Sequence, residues 1–326
     1  MSLSTYALSA VWAAMSATPA APVAKAEDSV KFSGYLDVSC NYLGGATFNT
    51  SGYPVRTFDV QQQGERWQQF VMNFEKRPAQ GLGGFLSVTT GHDADVIAAY
   101  DTQGLYNGES KMVDVTEGYL QYAKGNWNVV AGKFVTSAGA EVIDSRANWN
   151  FSRSILFGYA IPFTHTGFRF TCAPGGGKVK YTVGANNGWD QLRDSNNAKT
   201  LEFGANVAVD SKLSVSAMWH VGDEQVAGFN PAAPRGRRSL IDAVATYKLN
   251  DKTTLVANYD YGTQDNTTNV APSGSYRSEW SGYAAYLHHK LNDKWSLTAR
   301  AESFKDRDGY RTGLQQIWTE GTLTLG

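Results

Sequence analysis

Apolar and polar side chains alternate over segments of about ten residues, and this pattern limits the possible folds more than any other feature. In residues 213–222, for example, the apolar set is Leu213, Val215, Ala217, Trp219 and Val221. Residues 201–210 and 240–249 repeat the pattern. Alternation with a period of two puts successive side chains on opposite faces of a β-strand, and about ten residues suffice for a tilted strand to cross a bilayer. The sequence therefore predicts long, membrane-crossing strands.

Fourteen segments of this kind follow one another along the chain. They cover residues 30–43, 66–76, 82–92, 113–123, 127–135, 165–173, 178–188, 199–209, 212–223, 239–249, 252–263, 279–291, 294–305 and 316–325. A soluble β-sandwich would also alternate, but with shorter strands. We therefore predict an all-β protein, a transmembrane antiparallel up-and-down β-barrel.

The connections between these segments are alternately tight and long. VDSKLSV (209–215), LNDKTTL (249–255) and LNDKWSL (291–297) each supply turn-forming Asp or Asn residues for a tight hairpin. Longer connections cover residues 223–238, 264–278 and 305–315. Alternate connections of an antiparallel meander lie at the same end, so one end of the barrel is predicted to be trimmed and the other to carry loops.

Composition agrees with a barrel that has a wet interior. The chain has 326 residues with 33 Gly, 17 Tyr and 9 Trp, and its net charge of −1 gives no basis for binding nucleic acid. No run of 18 apolar residues is present, which excludes a transmembrane helix. The polar face carries charges of both signs, which we expect to line the lumen wall: Asp37, Glu75, Glu117, Arg169, Lys180, Glu202, Asp242, Asp260, Arg300 and Glu302.

Residues 136–164, after the fifth predicted strand, lack the alternation. Ser137 is a candidate N-cap for a short helix, on which Glu141 and Asp144 would share a face. With Arg146 and Arg153 they would form a charged pore constriction. The apolar residues between 155 and 163 favour packing against an inner wall, so we predict a loop folded into the lumen. An extra strand and a lid are the alternatives.

The stretch GKFVTSAGAEVIDSRANWNFSRSILFGYAIPFTHTGFRF (132–170) resembles the central signature of the OmpL-like β-barrel porins of bacterial outer membranes. NNGWD (186–190) and DRDGYRTG (306–313) are similar to further motifs of that family, and the resemblance runs from about Phe32 to the C-terminus. It implies a location in the bacterial outer membrane and passive transport, with a constricting loop after the fifth strand.

The two ends of the chain lead to further expectations. Residues 1–26 are Ala-rich and precede a small-x-small site, which favours a signal peptide over a disordered export segment. Residues 27–326 then form the barrel. The last segment ends without the terminal aromatic residue typical of outer-membrane barrels. Either fourteen strands close, or a barrel of about sixteen lacks its last strands here.

Other classes of function find little support. No GxSxG or HExxH motif surrounds His165, His220, His288 or His289, so we expect no enzyme, metal site or cofactor. Cys40 and Cys172 are expected to be unpaired. The expected partners are outer-membrane lipids and small hydrophilic solutes or ions, and a homo-oligomer is compatible with the sequence. The alternative function is a structural barrel that forms a sleeve around a partner protein; an outer-membrane hydrolase is a weaker alternative.

Overall fold

Fourteen antiparallel β-strands form the framework of the computed structural model, which describes residues 29–42, 56–58, 63–103, 112–175, 177–227 and 232–326. The predicted export segment, residues 1–26, lies outside the described residues. The strands are β1 (Lys31–Tyr42), β2 (Gln63–Lys76), β3 (Gly81–Thr90), β4 (Val113–Lys124), β5 (Trp127–Val135), β6 (Thr164–Cys172), β7 (Val179–Asn186), β8 (Thr200–Ala208), β9 (Leu213–Gln225), β10 (Arg235–Lys248), β11 (Thr253–Asp265), β12 (Arg277–Lys290), β13 (Ser296–Asp306) and β14 (Gln316–Leu325).

These strands pair in chain order, so the sheet is an up-and-down meander from β1 to β14. All fourteen predicted segments coincide with a strand, and the predicted fold class is confirmed. In the described part of the chain β1 and β14 do not pair with each other, and the sheet is not closed there. Register shifts at Asp37/Val38 and at Ser87/Val88 mark two bulges, which bend the sheet locally.

The outer face of the sheet is an apolar belt. Its side chains are exposed although they are large and hydrophobic, and along each strand they alternate with buried or half-buried neighbours. Such a surface suits contact with lipid, because hydrocarbon makes no demand for polar groups. The belt includes Leu36, Phe70, Leu120, Phe168, Val183, Phe203, Trp219, Ile241, Tyr259, Tyr283 and Leu323.

Tight turns close one end of the sheet, as the repeated turn motif predicts. Asp210 Oδ1 accepts backbone N–H bonds from Lys212 and Leu213, at 2.7 and 2.8 Å. Asn250 and Asn292 make the same pair of bonds in the β10–β11 and β12–β13 turns. Each side chain thus takes over a bond that a backbone carbonyl would otherwise accept.

Two further long connections, β3–β4 and β5–β6, carry short helices in the described part of the chain. These are α1 (His92–Ile97) and α2 (Tyr100–Gln103) between β3 and β4, and a 3₁₀-helix (Ser145–Ala147) and α3 (Ile155–Tyr159) between β5 and β6. The helix predicted after Ser137 is wrong: residues 137–144 are irregular, and Gly139 has a φ of 92°. Among the described residues, no helix has the length and apolarity to cross a membrane.

The hydrophobic core lies on the inner side of the sheet, around residues 138–163. Leu156 and Phe157 of α3 belong to one buried cluster with the inward side chains Trp280, Tyr286 and Phe304. Gly282 permits this close approach, because a Cβ atom there would lie 2.8 Å from Cδ1 of Leu156. The connection after the fifth strand therefore folds inward, as predicted, and is neither an extra strand nor an outer lid.

Candidate pore constriction

The inner face of the sheet carries all ten charged residues predicted for the lumen wall. In each strand their side chains lie on the other face of the sheet from the exposed apolar belt. Five remain partly accessible: Asp37, Glu75, Glu117, Arg169 and Lys180. The other five are buried: Glu202, Asp242, Asp260, Arg300 and Glu302. The accessible set lies on β1, β2, β4, β6 and β7, and the buried set lies on β8, β10, β11 and β13. The inner face is therefore more exposed along the first strands than along the later ones.

A buried ionic cluster attaches the segment 136–163, which we call the constriction segment, to β13. Arg300 Nη1 donates a 2.7 Å bond to Oε1 of Glu141, and its guanidinium also lies near Glu302 and Glu320. The same oxygen of Glu141 accepts a 3.2 Å bond from Tyr286, and Oε2 accepts a 2.7 Å bond from the N–H of Ser154. Both oxygens of Glu141 are therefore engaged, although the residue borders a cavity.

Helix α3 is fixed at both of its ends. Glu302 Oε2 accepts a 2.8 Å bond from the N–H of Ile155, and Ser154 Oγ caps the N–H of Phe157 at 2.9 Å. At the other end, the indole of Trp280 donates a 3.0 Å bond to the carbonyl of Ala160. A carboxylate and a hydroxyl at the first turn satisfy N–H groups that the helix itself leaves without a partner.

Arg153 supports the constriction segment from within. It is buried, and its guanidinium donates to the carbonyl oxygens of Val142, Ile143 and Phe151 at 2.8 to 3.2 Å. Because the guanidinium is buried and bonded to backbone carbonyls of the same segment, Arg153 does not face an open passage.

Asp144 and Arg146 are the accessible charges of the segment. Asp144 Oδ1 caps the 3₁₀-helix by accepting from the N–H of Arg146, and the two side chains form an ion pair at 2.8 Å. The guanidinium also stacks over the ring of Tyr35 on β1, 4.1 Å from its centroid. Of the four predicted constriction charges, Asp144 and Arg146 thus pair with each other, whereas Glu141 and Arg153 each have other partners. Glu141 and Asp144 do not share a helix face, because residues 137–144 form no helix.

A cavity of about 140 Å³ remains between the constriction segment and the accessible side of the wall. Strands β2 to β4 contribute Asn73, Ser87, Thr89, Thr116 and Glu117, and the segment contributes residues 141–144. The lining is mixed on both sides, because Val71 and Phe85 of the wall and Val142 and Ile143 of the segment border the cavity beside the polar residues.

Helix α1 is a second inward element, which the sequence pattern did not reveal. Gln69 of β2 connects it to the constriction segment. Gln69 on β2 donates to Oδ2 of Asp93 in α1 at 2.8 Å and to the carbonyl of Ile143 at 3.1 Å. Its amide oxygen accepts a 2.6 Å bond from Tyr35. Burial raises the pKa of Asp93 to about 6, against a smaller opposing effect of Arg153.

The two shorter motifs that resemble family signatures hold the end of the segment. In NNGWD, Asp190 Oδ1 accepts from the N–H groups of Phe163 and Thr164, at 2.7 and 2.9 Å. Burial raises the pKa of this carboxyl, and the two N–H bonds oppose the rise. In DRDGYRTG, Arg311 Nε donates a 2.6 Å bond to the carbonyl of Tyr159. Neither role could be found from the sequence alone.

An antiparallel meander with an apolar outer belt, a polar inner face and an inward loop is the architecture of outer-membrane β-barrel channels. The chain belongs to the family described as "Putative beta-barrel porin-2, OmpL-like", whose model matches residues 29–325. The protein is therefore a porin of the bacterial outer membrane.

Several solved outer-membrane proteins have similar structures. The outer membrane channel DcaP of Acinetobacter baumannii is 11% identical, with 93% of this chain and 97% of that chain covered, at a TM-score of 0.47. The anion-selective porin from Comamonas acidovorans is 9% identical, with 90% and 94% covered, at 0.43. A loop L8 deletion mutant of OmpT, an outer membrane protein of Vibrio cholerae, is 12% identical, with 85% and 93% covered, at 0.42. Among curated proteins none matches significantly.

Proposed function

We propose that the protein lets small hydrophilic solutes or ions diffuse passively past the constriction segment, and that it catalyses no reaction. The observation that carries this proposal is the position of residues 136–163 on the polar inner face, with the 140 Å³ cavity beside them. In this proposal the barrel unit is residues 27–326. Its partners are the passing solutes, the outer-membrane lipids on the apolar belt, and further copies of the same chain.

Selection by size should dominate over selection by charge. The cavity is small, and the accessible charges of the segment, Asp144 and Arg146, already neutralise each other at 2.8 Å. Glu141 and Arg300 likewise form a close ion pair at 2.7 Å. The paired charges therefore give a passing ion little preference for either sign. Because charges close to a narrow path act with little screening, removal of one partner of a pair should change the ion selectivity.

Single-channel recording of the full-length protein in planar bilayers tests this proposal. We expect small ohmic steps and a reversal potential close to zero in a salt gradient. Asp144→Asn should shift the reversal potential toward anion permeation, because it leaves Arg146 unopposed beside the path. Asp251→Asn, in the tight β10–β11 turn, is the control and should produce no shift.

A folded protein that carries no current would contradict the proposal. If such a protein were also isolated with a stoichiometric protein partner, the structural barrel would be the better description. Current with unchanged selectivity in Asp144→Asn would retain the porin but would place the path away from Asp144.

A further inference from the structure

Three side chains with metal-binding atoms meet between strands β6, β8 and β9, outside the constriction segment. They are His165 on β6, Glu202 on β8 and His220 on β9, and each has 0% of its surface exposed. One ligand atom from each lies within 4.8 Å of the others. Imidazole and carboxylate are the ligands that zinc and neighbouring divalent metals use in proteins.

The sheet register explains how the carboxylate reaches this place. Arg169, Gly184, Glu202 and His220 are consecutive partners across β6, β7, β8 and β9. A Cβ atom on Gly184 would lie 2.3 Å from Oε1 of Glu202, so only glycine leaves room for this side chain. Arg169 spans β7 and donates to both oxygens of Glu202, at 2.6 and 2.9 Å. The guanidinium thereby fixes the orientation of the carboxylate, as an outer partner of a metal ligand does.

The two imidazoles are short of partners. Nε2 of His165 and both ring nitrogens of His220 are buried and have no hydrogen-bond partner among the residues that the structure describes. The rings stack with their centroids 5.0 Å apart and an interplanar angle of 12°. Buried polar atoms in proteins are nearly always paired, so three orphan nitrogens in one place require an explanation.

The tautomer of His165 prepares its free nitrogen for a metal. Nδ1 lies 3.3 Å from the carbonyl oxygen of Gly188, which can only accept a hydrogen bond. The proton therefore resides on Nδ1, and Nε2 presents a lone pair toward the cluster. A backbone carbonyl on the outer nitrogen is the usual arrangement for a histidine that binds a metal through the other.

An ion pair without a metal explains less. A protonated His220 would face Glu202 with its Nε2 3.6 Å from the carboxylate, beyond normal hydrogen-bond length. It would still leave Nδ1 of His220 and Nε2 of His165 unpaired. A cation held by both rings satisfies one nitrogen of each.

We propose that His165, Glu202 and His220 form a binding site for one divalent transition metal of the zinc type. The sequence motifs gave no reason to expect it, since the three ligands come from separate strands and have no local spacing signature. Because His165 lies two residues after the end of the constriction segment, the metal would join that end to β8 and β9. Its role is structural, and it is independent of the solute that passes.

Metal content after refolding tests the site directly. The full-length chain is refolded from urea into detergent with Zn²⁺, because the folded cluster is closed to solvent, and is then desalted. We expect about one Zn²⁺ per folded chain, and at least roughly a tenfold lower content in His165→Gln and His220→Gln. His289→Gln, whose imidazole contacts Thr253 on β11, is the matched control and should keep the wild-type content.

A second measurement covers the case in which the variants do not fold. Wild type refolded with Cu²⁺ should give an electron paramagnetic resonance spectrum with hyperfine coupling to two imidazole nitrogens. Folded wild type that retains less than about a tenth of an equivalent of Zn²⁺ and shows no nitrogen coupling would overturn the proposal. Wild-type metal content in folded His220→Gln would overturn it as well.

Discussion

The carboxylate of Glu141 accepts a 2.7 Å hydrogen bond from Arg300, which lies 159 positions further along the chain. Arg300 is fully buried, and Glu302 and Glu320 are its other ionic partners, at 3.2 and 2.8 Å. This contact joins the constriction segment to β13, and Glu141 also borders the cavity. The contact therefore fixes the position of Glu141, and of the chain around it, relative to β13.

Breaking this buried cluster should destabilise the protein strongly. We expect Arg300→Gln to lower the free energy of unfolding by about 3–5 kcal/mol, because it leaves buried carboxylates without a counter-charge. Urea unfolding in detergent, followed by tryptophan fluorescence, measures the loss. Arg307→Gln is the control: this guanidinium pairs with Glu279 at 2.7 Å but is exposed, and its loss should not be measurable. Equal midpoints for the two variants would refute the anchoring role of Arg300.

Two adjacent residues of β3 separate the lipid face from the lumen face. Leu86 is 39% exposed on the apolar belt, whereas Ser87 lines the cavity opposite Glu117. Leu86→Lys should cost about 2–4 kcal/mol in a bilayer, since hydrocarbon does not solvate the ammonium group. Ser87→Lys should cost little, because the ammonium group meets water and a carboxylate. Unfolding of both variants in lipid vesicles measures the difference, and a larger loss for Ser87→Lys would reverse the face assignment.

The buried carboxyl of Asp93 predicts a pH dependence of stability. Its pKa in the folded protein is about 6, against 3.8 for the model carboxyl, because burial disfavours the charged form. The folded state therefore binds more protons between these values, and stability falls as the pH rises from about 4 to about 6. Above that range the ionised group costs about 3 kcal/mol.

Asp93→Asn should remove this cost. The variant should be more stable than wild type at pH 7.5, and the difference should vanish at pH 4, as measured by thermal unfolding at each pH. Its amide oxygen can still accept the bond from Gln69. Asp95→Asn removes a charge from the same helix and controls for the net charge of α1. A stability difference that does not change with pH would contradict the burial effect at Asp93.

The strands could be predicted from sequence, whereas the contacts of the constriction segment could not. Alternation is a local property of a strand with two different faces, so Phe203 and Glu202 reveal their faces in isolation. The partners of Glu141 lie on β12 and β13, and no local pattern indicates that Arg300 would bury it. Arg153 shows the same limit, since its acceptors are backbone carbonyls, which every residue has.

The predicted helix after Ser137 failed for a related reason. The composition is compatible with a helix, but residues 137–144 cross the inner face as irregular chain, tied by the N–H of Ala140 to Asn258 and by the carbonyl of Ile143 to Gln69. Tertiary hydrogen bonds replaced those of a helix there. Helix propensity is weak enough to be overridden by such contacts.

Narrowing the cavity from the wall gives the most direct test of the central claim, that solutes pass between the constriction segment and strands β2 to β4. The variant is Ser87→Trp, whose indole would fill much of the 140 Å³ cavity, and the matched control is Leu86→Trp on the lipid face. In planar bilayers we predict a single-channel conductance below about half the wild-type value for Ser87→Trp and an unchanged value for Leu86→Trp. Wild-type conductance in folded Ser87→Trp would contradict this path.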